Sequence, residues 1–333
     1  DVPTLAYTHF QAAQPTTVGK RATLWLQDFL MDFDRLTFEL SRLKPLGCKG
    51  TTGTGASFLM LFNGDESKVR ALEGLIARKM GFESCVAVSG QTYTRKVDAF
   101  VLNVLSGIAQ SASKMATDLR LLSHLKEFDE PFESEQVGSS AMAYKRNPMR
   151  SERVCALARY VMTDALNPAW TAATQWMERT LDDSANRRIA LPEAFLAADA
   201  ILTLCRNLIS GGRVYPGVMR RHLNEEMPFM ATENILMRAV ELGGDRQKLH
   251  EKIREYSVET AARVKLEGGE NDLLDKLKAD PAFHLDDAAL AEILDVKQFI
   301  GCAPSQTRAF VEEAVRPVLE ACGAGDGTDE VRV

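Results

Sequence analysis

The sequence predicts an all-α protein, and three observations carry that prediction. Apolar residues recur at helical spacing from one end to the other, segments approaching thirty residues run without proline, and alternating strand patterns are almost absent. Residues 18–43 place Leu24, Phe29, Phe33, Leu36, Leu40 and Leu43 at steps of three to five, one apolar stripe along a helix. Residues 67–80 repeat the pattern with Val69, Leu72, Ile76 and Met80 and stop at Gly81, a residue suited to a helix C-terminus. The longest run, 97–126, carries Val97, Val101, Val104, Ile108, Met115, Leu119 and Leu122 along one side. At about 1.5 Å per residue it spans roughly 45 Å, a length that belongs to an extended bundle. Its Gly107, Ala109, Ala112 and Ala116 permit close helix approach, within the chain or between subunits. Helices over 149–177 and 186–211 follow, the first tolerating or breaking at Pro168.

Gly211-Gly212 ahead of Val214-Tyr215-Pro216 marks the best internal boundary. Residues 1–213 therefore read as a long-helix bundle domain and 214–333 as a smaller C-terminal helical domain. Its shorter helices fall near 217–226, 231–242, 246–266, 270–278, 286–294 and 304–321. The polar, Gly-rich tail after Cys322 is expected to fray.

Composition excludes more than it identifies. The chain has 333 residues, 45% hydrophobic and 26% charged, ordinary for a globular protein. No apolar run reaches the roughly 18–20 residues of a membrane span. A formal charge of −6 weighs against a nucleic-acid partner. Six scattered cysteines form no C-x-x-C pair and five histidines no H-x-x-x-H pair, so neither a metal nor a disulfide framework is expected. Free thiols of this kind suit the reducing cytoplasm. The chain opens on Asp1 and an extended, Pro-containing stretch, which reads as the start of a piece whose N-terminal part is absent.

Four polar segments interrupt the helices, and loops held by a rigid scaffold are where chemistry concentrates. In Thr8-His9-Phe10-Gln11, His9 is either a hydrogen-bonded structural residue or an acid suited to protonating a leaving nitrogen near neutral pH. Residues 47–57, from Gly47 through Lys49 to Ser57, are either a flexible connector or a cradle of backbone N–H groups for an anion. Residues 138–153 join Ser139 and Ser140 to Lys145, Arg146, Arg150 and Arg153, with Pro148 entering the next helix. That stretch reads as a solvated basic loop or a phosphate patch. Without interleaved aromatics it is a poor RNA surface. In 178–188, Asp183 or Ser184 can cap the following helix, while Arg179 and Arg188 beside its N-terminus make an anion site.

Together these segments resemble the fumarase/aspartase superfamily. The pattern Gly138-Ser139-Ser140-x-Met142-x-x-Lys145-x-Asn147-Pro148 carries the strongest likeness, and Thr8-His9-x-Gln11-x-Ala13-x-Pro15-Thr16 matches the superfamily's histidine segment. Lys49-Gly50-Thr51-Thr52-Gly53-Thr54, Gln91-Thr92-Tyr93, the run from Arg179 to Arg188, and the stretch from Pro228 to Asn234 resemble the adenylosuccinate lyase family, so the likeness covers most of the chain. The resemblance implies a cytoplasmic homotetramer whose active sites are shared between subunits, with no cofactor and no metal. It implies nucleotide substrates: adenylosuccinate cleaved to AMP and fumarate, and SAICAR to AICAR and fumarate. It assigns Ser139 as base, His9 as acid and Lys145 as the cation beside the base. Thr8, Gln91, Asn147, Arg153, Arg179, Ser184 and Arg188 fall at substrate-binding positions. It also implies a further N-terminal domain with another active-site histidine. Two departures stand out: Ala143 where the superfamily loop has Pro, and Gly55 where a larger polar residue is expected. Another fumarate-releasing lyase, of the argininosuccinate lyase or fumarase type, and a non-catalytic helical scaffold are the competing readings.

Overall fold

The computed structural model describes residues 1–132, 142 and 144–323. The chain opens on β1 (Pro3–Thr8) and β2 (Gln11–Thr17), an antiparallel hairpin, and continues into α1 (Val18–Arg42), α2 (Ala56–Leu61), α3 (Glu66–Lys79) and α4 (Lys96–His124). Then come α5 (Met149–Asp164), α6 (Leu166–Thr174), α7 (Asp182–Gly211), α8 (Pro216–Met230), α9 (Thr232–Glu241) and α10 (Arg246–Glu267). The remaining helices are α11 (Leu273–Ala279), α12 (Asp287–Ile293), α13 (Ala303–Phe310) and α14 (Arg316–Cys322). A single π turn, Val311–Val315, joins the last two. Helix dominates, as the periodicity predicts. The hairpin at 3–17 is a departure from the strand-poor reading: Thr and Tyr supply β propensity, and ladder pairing over a stretch this short leaves no helical period to break.

Contacts divide the chain into two compact units. Among the described residues, one gathers Asp1–Leu24, Leu125–Phe128 and the residues from Val214 to Gly323; the other holds Trp25–His124 and Asp129–Arg213. The first 24 residues, read from sequence with the bundle, therefore group with the C-terminal helices, because β1 and β2 pack on α8.

In the bundle unit, α4, α5, α6 and α7 pack against one another. The buried line of α4 is Leu102, Leu105, Ala109, Ala112, Ala116 and Leu119. Of the stripe expected from sequence, Val104, Ile108, Met115, Leu119 and Leu122 are buried, whereas Val97 and Val101 near the start of the helix are only half-buried. Alanines at 109, 112 and 116 let α5 approach closely, so their close packing is satisfied inside the chain. The helix expected over 149–177 breaks at Ala165, three residues before Pro168. Helix α7 begins at Asp182, four residues earlier than the periodicity indicates, because two acidic residues in its first turn complement the helix dipole.

In the other unit, α9–α12 close around Ile235, Leu249, Leu273, Leu277 and Phe283. Asp245 caps α10 by accepting from the Gln247 and Lys248 amides. Helix α8 runs through Pro228 to Met230, past the end expected near 226. Among the described residues no helix is long and apolar enough to cross a membrane, and no cluster of three metal-ligating side chains occurs.

Candidate active site

The histidine segment is a tight hairpin. Thr8 pairs with Gln11, leaving His9 and Phe10 as a two-residue connection with φ of 53° and 58°. Positive φ at both central positions is the signature of a type I′ turn, which Asn-Gly adopts readily and which costs other residues on the order of 1 kcal/mol each. The histidine is thus exposed at the tip of a strained turn. A register shift between Leu5 and Tyr7 adds a bulge just before it, a device that re-aims side chains.

Near the start of α4 and α7, two of the polar segments, 47–57 and 178–188, meet the stretch around Gly90 and Gln91. A Cβ on Gly53 would lie 1.8 Å from the Ser89 carbonyl oxygen, and one on Gly90 2.5 Å from that of Glu178. Only glycine admits such contacts. The Gln91 amide donates to the Glu178 carbonyl at 3.0 Å, and Arg179 Nη1 donates to Gln91 Oε1 at 2.9 Å. Arg179 Nε is buried and has no acceptor among the described residues. Ser184 and Arg188, one helical turn apart, follow on the first turns of α7.

A charged network braces this corner. Buried Arg95 pairs with buried Asp183. Arg187 Nε donates to Asp98 Oδ2 at 2.8 Å, and Tyr93 Oη donates to Asp98 Oδ1 at 2.7 Å. Burial and the bond to Asp98 push the Tyr93 phenol up, and the same carboxylate raises Arg187. Two of the local cations are therefore neutralised, and Asp183 is spent on Arg95. Neither Asp183 nor Ser184 caps α7; Leu181 occupies that position. Lys49 is likewise buried in an ion pair with Glu73, so it offers no charge to an anion. Gly55 holds φ of 68° at the N-terminus of α2, which accounts for glycine where a larger residue was expected.

The described residues of the signature loop, 142 and 144–148, belong to the bundle unit beside Ser123 and Asp129. Ser139 and Ala143 lie outside the described residues. Lys145 is exposed, and its amide donates to the Met142 carbonyl at 2.9 Å. Arg146 sits 3.7 Å from Asp129 and over the Phe132 ring. Arg150 is not part of a solvated basic surface: it is buried, with Nη1 donating to Asn207 Oδ1 at 2.7 Å and to the Pro131 carbonyl at 3.1 Å. Glu130 accepts from the Arg150 and Ser151 amides at 2.8 and 2.7 Å and so closes the N-terminus of α5. Asn147 and Pro148 line a small cleft with Ser123, while Arg153 is exposed one turn further along α5.

Gln91 and Arg179 are thus joined, with Ser184 and Arg188 on the helix turns that follow, and Lys145, Asn147 and Arg153 do not join them. The first group neighbours Asp98 and the second Ser123. On one helix those positions are about 37 Å apart. Thr8 and His9 belong to the other compact unit. Sequence reasoning missed Asp98 and Arg95. Asp98 was detectable, since it stands four residues before Leu102, in register with the buried line.

The "Lyase" family profile matches residues 1–163, and "Adenylosuccinate lyase C-terminus" matches residues 228–310. The chain is 51% identical over 319 residues to adenylosuccinate lyase of Schizosaccharomyces pombe and 52% identical over 320 residues to that of Saccharomyces cerevisiae. Each match covers 96% of this chain but 66% of the relative, so the chain spans about two thirds of their length. The enzyme of Archaeoglobus fulgidus is 33% identical over 324 residues, covering 96% of this chain and 69% of its own. The fold is similar to that of the 3-carboxy-cis,cis-muconate lactonizing enzyme from Pseudomonas putida. The TM-score is 0.78 at 22% identity, covering 95% of this chain and 67% of that one. Identity at this level to the Archaeoglobus enzyme, over more than two thirds of its length, makes this chain a member of the adenylosuccinate lyase family.

Proposed function

We propose that the chain acts in the cleavage of adenylosuccinate to AMP and fumarate, and of SAICAR to AICAR and fumarate. The observation that carries this reading is the Arg179 corner. A guanidinium with a buried, unpaired N–H stands beside the N-terminus of a 30-residue helix, with Ser184 and Arg188 on its first turns. Such a place favours a phosphate, which accepts from the unpaired donor and from the helix end. A nucleotide monophosphate supplies that group; argininosuccinate and malate do not.

In the reaction a base removes a proton from the succinyl carbon next to the one bearing nitrogen. The C–H electron pair becomes the new C=C bond of fumarate as the C–N bond breaks, and an acid protonates the departing nitrogen. Ser139 serves as base, its alkoxide stabilised by the Lys145 ammonium. His9 serves as acid from the tip of its turn. Thr8, Gln91, Asn147 and Arg153 orient the substrate. The base and the acid work on opposite faces of the succinyl group, which suits residues carried on separate segments.

The site is assembled from more than one copy. The Asn147 corner neighbours Ser123 and the Arg179 corner neighbours Asp98, positions about 37 Å apart along α4, farther than a nucleotide substrate reaches. The stripe of α1 leaves Leu24, Leu36 and Leu40 at 40–64% exposure, and Phe195 and Leu196 of α7 are uncovered as well. Apolar helix faces of this extent support association into a homotetramer. Six free thiols fit a reducing, cytoplasmic setting.

Incubation with adenylosuccinate, following AMP and fumarate together, tests the reading. Turnover is expected, with His9→Ala and Ser139→Ala each abolishing it while leaving the oligomer intact. Turnover of argininosuccinate or malate alone would transfer the chain to another fumarate-releasing activity. Normal rates in both variants would remove the assigned roles.

A further inference from the structure

Among the described residues, the charged group buried most completely in the unit that holds the hairpin is one that the reaction does not use. Glu127, in the short segment after α4, is 0% exposed. An isolated carboxylate in such a place is strongly disfavoured, so its partners define its purpose. They come from three elements. Thr4 Oγ1 of β1 donates to Oε2 at 3.4 Å, and Arg21 Nη1 of α1 lies 3.9 Å from the same oxygen. His222 Nδ1 of α8 lies 2.8 Å from Oε1. With a carboxylate as neighbour, that ring nitrogen carries the proton and donates. Arg21 Nη2 also donates to the Leu5 carbonyl at 2.7 Å, and the Glu127 carbonyl accepts the Tyr215 amide at 2.9 Å.

Two of these bonds, at Thr4 and Leu5, end on the strand that leads to His9, and the others tie the same Glu127 to Arg21 of α1, His222 of α8 and Tyr215 just before α8. A two-stranded hairpin is marginally stable by itself, and a turn with positive φ at His and Phe persists only where its surroundings over-determine it. Thr4 and Leu5 are fully buried at the clamp, whereas Thr8, His9 and Phe10 are exposed. The anchor therefore lies at the root of β1 and the strained turn at its tip. His222 also reaches the tip: with Tyr7, Phe10 and Gln11 it lines one cleft of about 320 Å³. Burial, and after it the charge of Glu127, pushes the Tyr7 phenol up, so the carboxylate is felt beyond the bulge.

We infer that Glu127 is a positioning residue, whose buried carboxylate clamps β1 to α1 and α8 and thereby holds the His9 turn in its working geometry. The inference rests on the proposed role of His9. Displacement of an acid by about 1 Å costs on the order of a hundredfold in rate. A clamp on the acid's backbone is thus expected to act on kcat more than on KM.

The test compares the wild-type chain with Glu127→Gln, which keeps the shape and removes the charge. Amide hydrogen exchange reads the hairpin, and adenylosuccinate turnover reads the reaction. Exchange over residues 3–17 should accelerate at least tenfold while the α9–α12 core keeps its protection, and kcat should fall about 10–100-fold with KM within threefold. Unchanged hairpin exchange, or an unchanged kcat, overturns the inference. Should Glu127→Gln not fold, Thr4→Val removes a single bond and is expected to show the same local pattern at two- to fivefold; uniform loss of protection across the unit would instead make Glu127 a general structural residue. If the wild-type chain turns over no adenylosuccinate, the proposed function fails, whereas the exchange comparison still decides the clamp.

Discussion

Asp98 shows how a single side chain joins two levels of the molecule. It stands on the buried line of α4 yet meets only polar partners, Tyr93 and Arg187, and those tie the start of α4 to the start of α7. Replacement by Asn leaves the Arg187 guanidinium without its anion and a phenol without its best acceptor. Asp98→Asn should cost about 2–3 kcal/mol in denaturant unfolding and weaken nucleotide affinity together with it. Arg95→Lys is a useful companion, since the fork that meets Asp183 and stacks 4.6 Å from the Tyr93 ring is not reproduced by an ammonium. Loss of stability without loss of affinity would separate the brace from the anion corner.

At the scale of elements, the C-terminal helices depend on charge as well as on their apolar core. Asp272, which opens α11, accepts from Thr260 of α10 at 2.8 Å and pairs with Arg263 at 2.5 Å. The Thr260 bond, with Lys276 and Arg263 adding to it, holds the Asp272 carboxyl below its ordinary value of 3.8. A carboxyl lowered in the folded state contributes stability that is whole above pH 3.8 and is lost as pH falls through the lower, folded value. Unfolding followed by circular dichroism between pH 6 and pH 2 should show an acid limb in that window, and Asp272→Asn should flatten it. A limb unaltered by the substitution would place the acid sensitivity elsewhere.

For the whole molecule, the decisive quantity is the distance between the Asn147 and Arg179 corners. If each site draws those corners from different copies, Lys145→Ala and Arg179→Ala damage different subunits' contributions to it. Co-expressed, the two inactive variants should form mixed assemblies containing some intact sites and recover measurable turnover. Two single-chain sites would recover none. The uncovered apolar faces of α1 and α7 should at the same time keep the protein oligomeric at low micromolar concentration, as read by sedimentation.

The sequence by itself determined the helical class, most helix positions to within a few residues, and the segments that carry polar chemistry. Those features are local: apolar spacing, breakers such as Gly81 and Pro148, and the run of residues in a motif depend on neighbours a few positions away. Tertiary structure alone decided which of those residues serve one another. It spent Lys49 on Glu73 and Arg150 on Asn207, and made a hairpin of the histidine segment. It also brought Glu127 to Thr4, 123 positions away. Pairings of this kind follow from which faces meet when helices pack, and no window of sequence contains both partners.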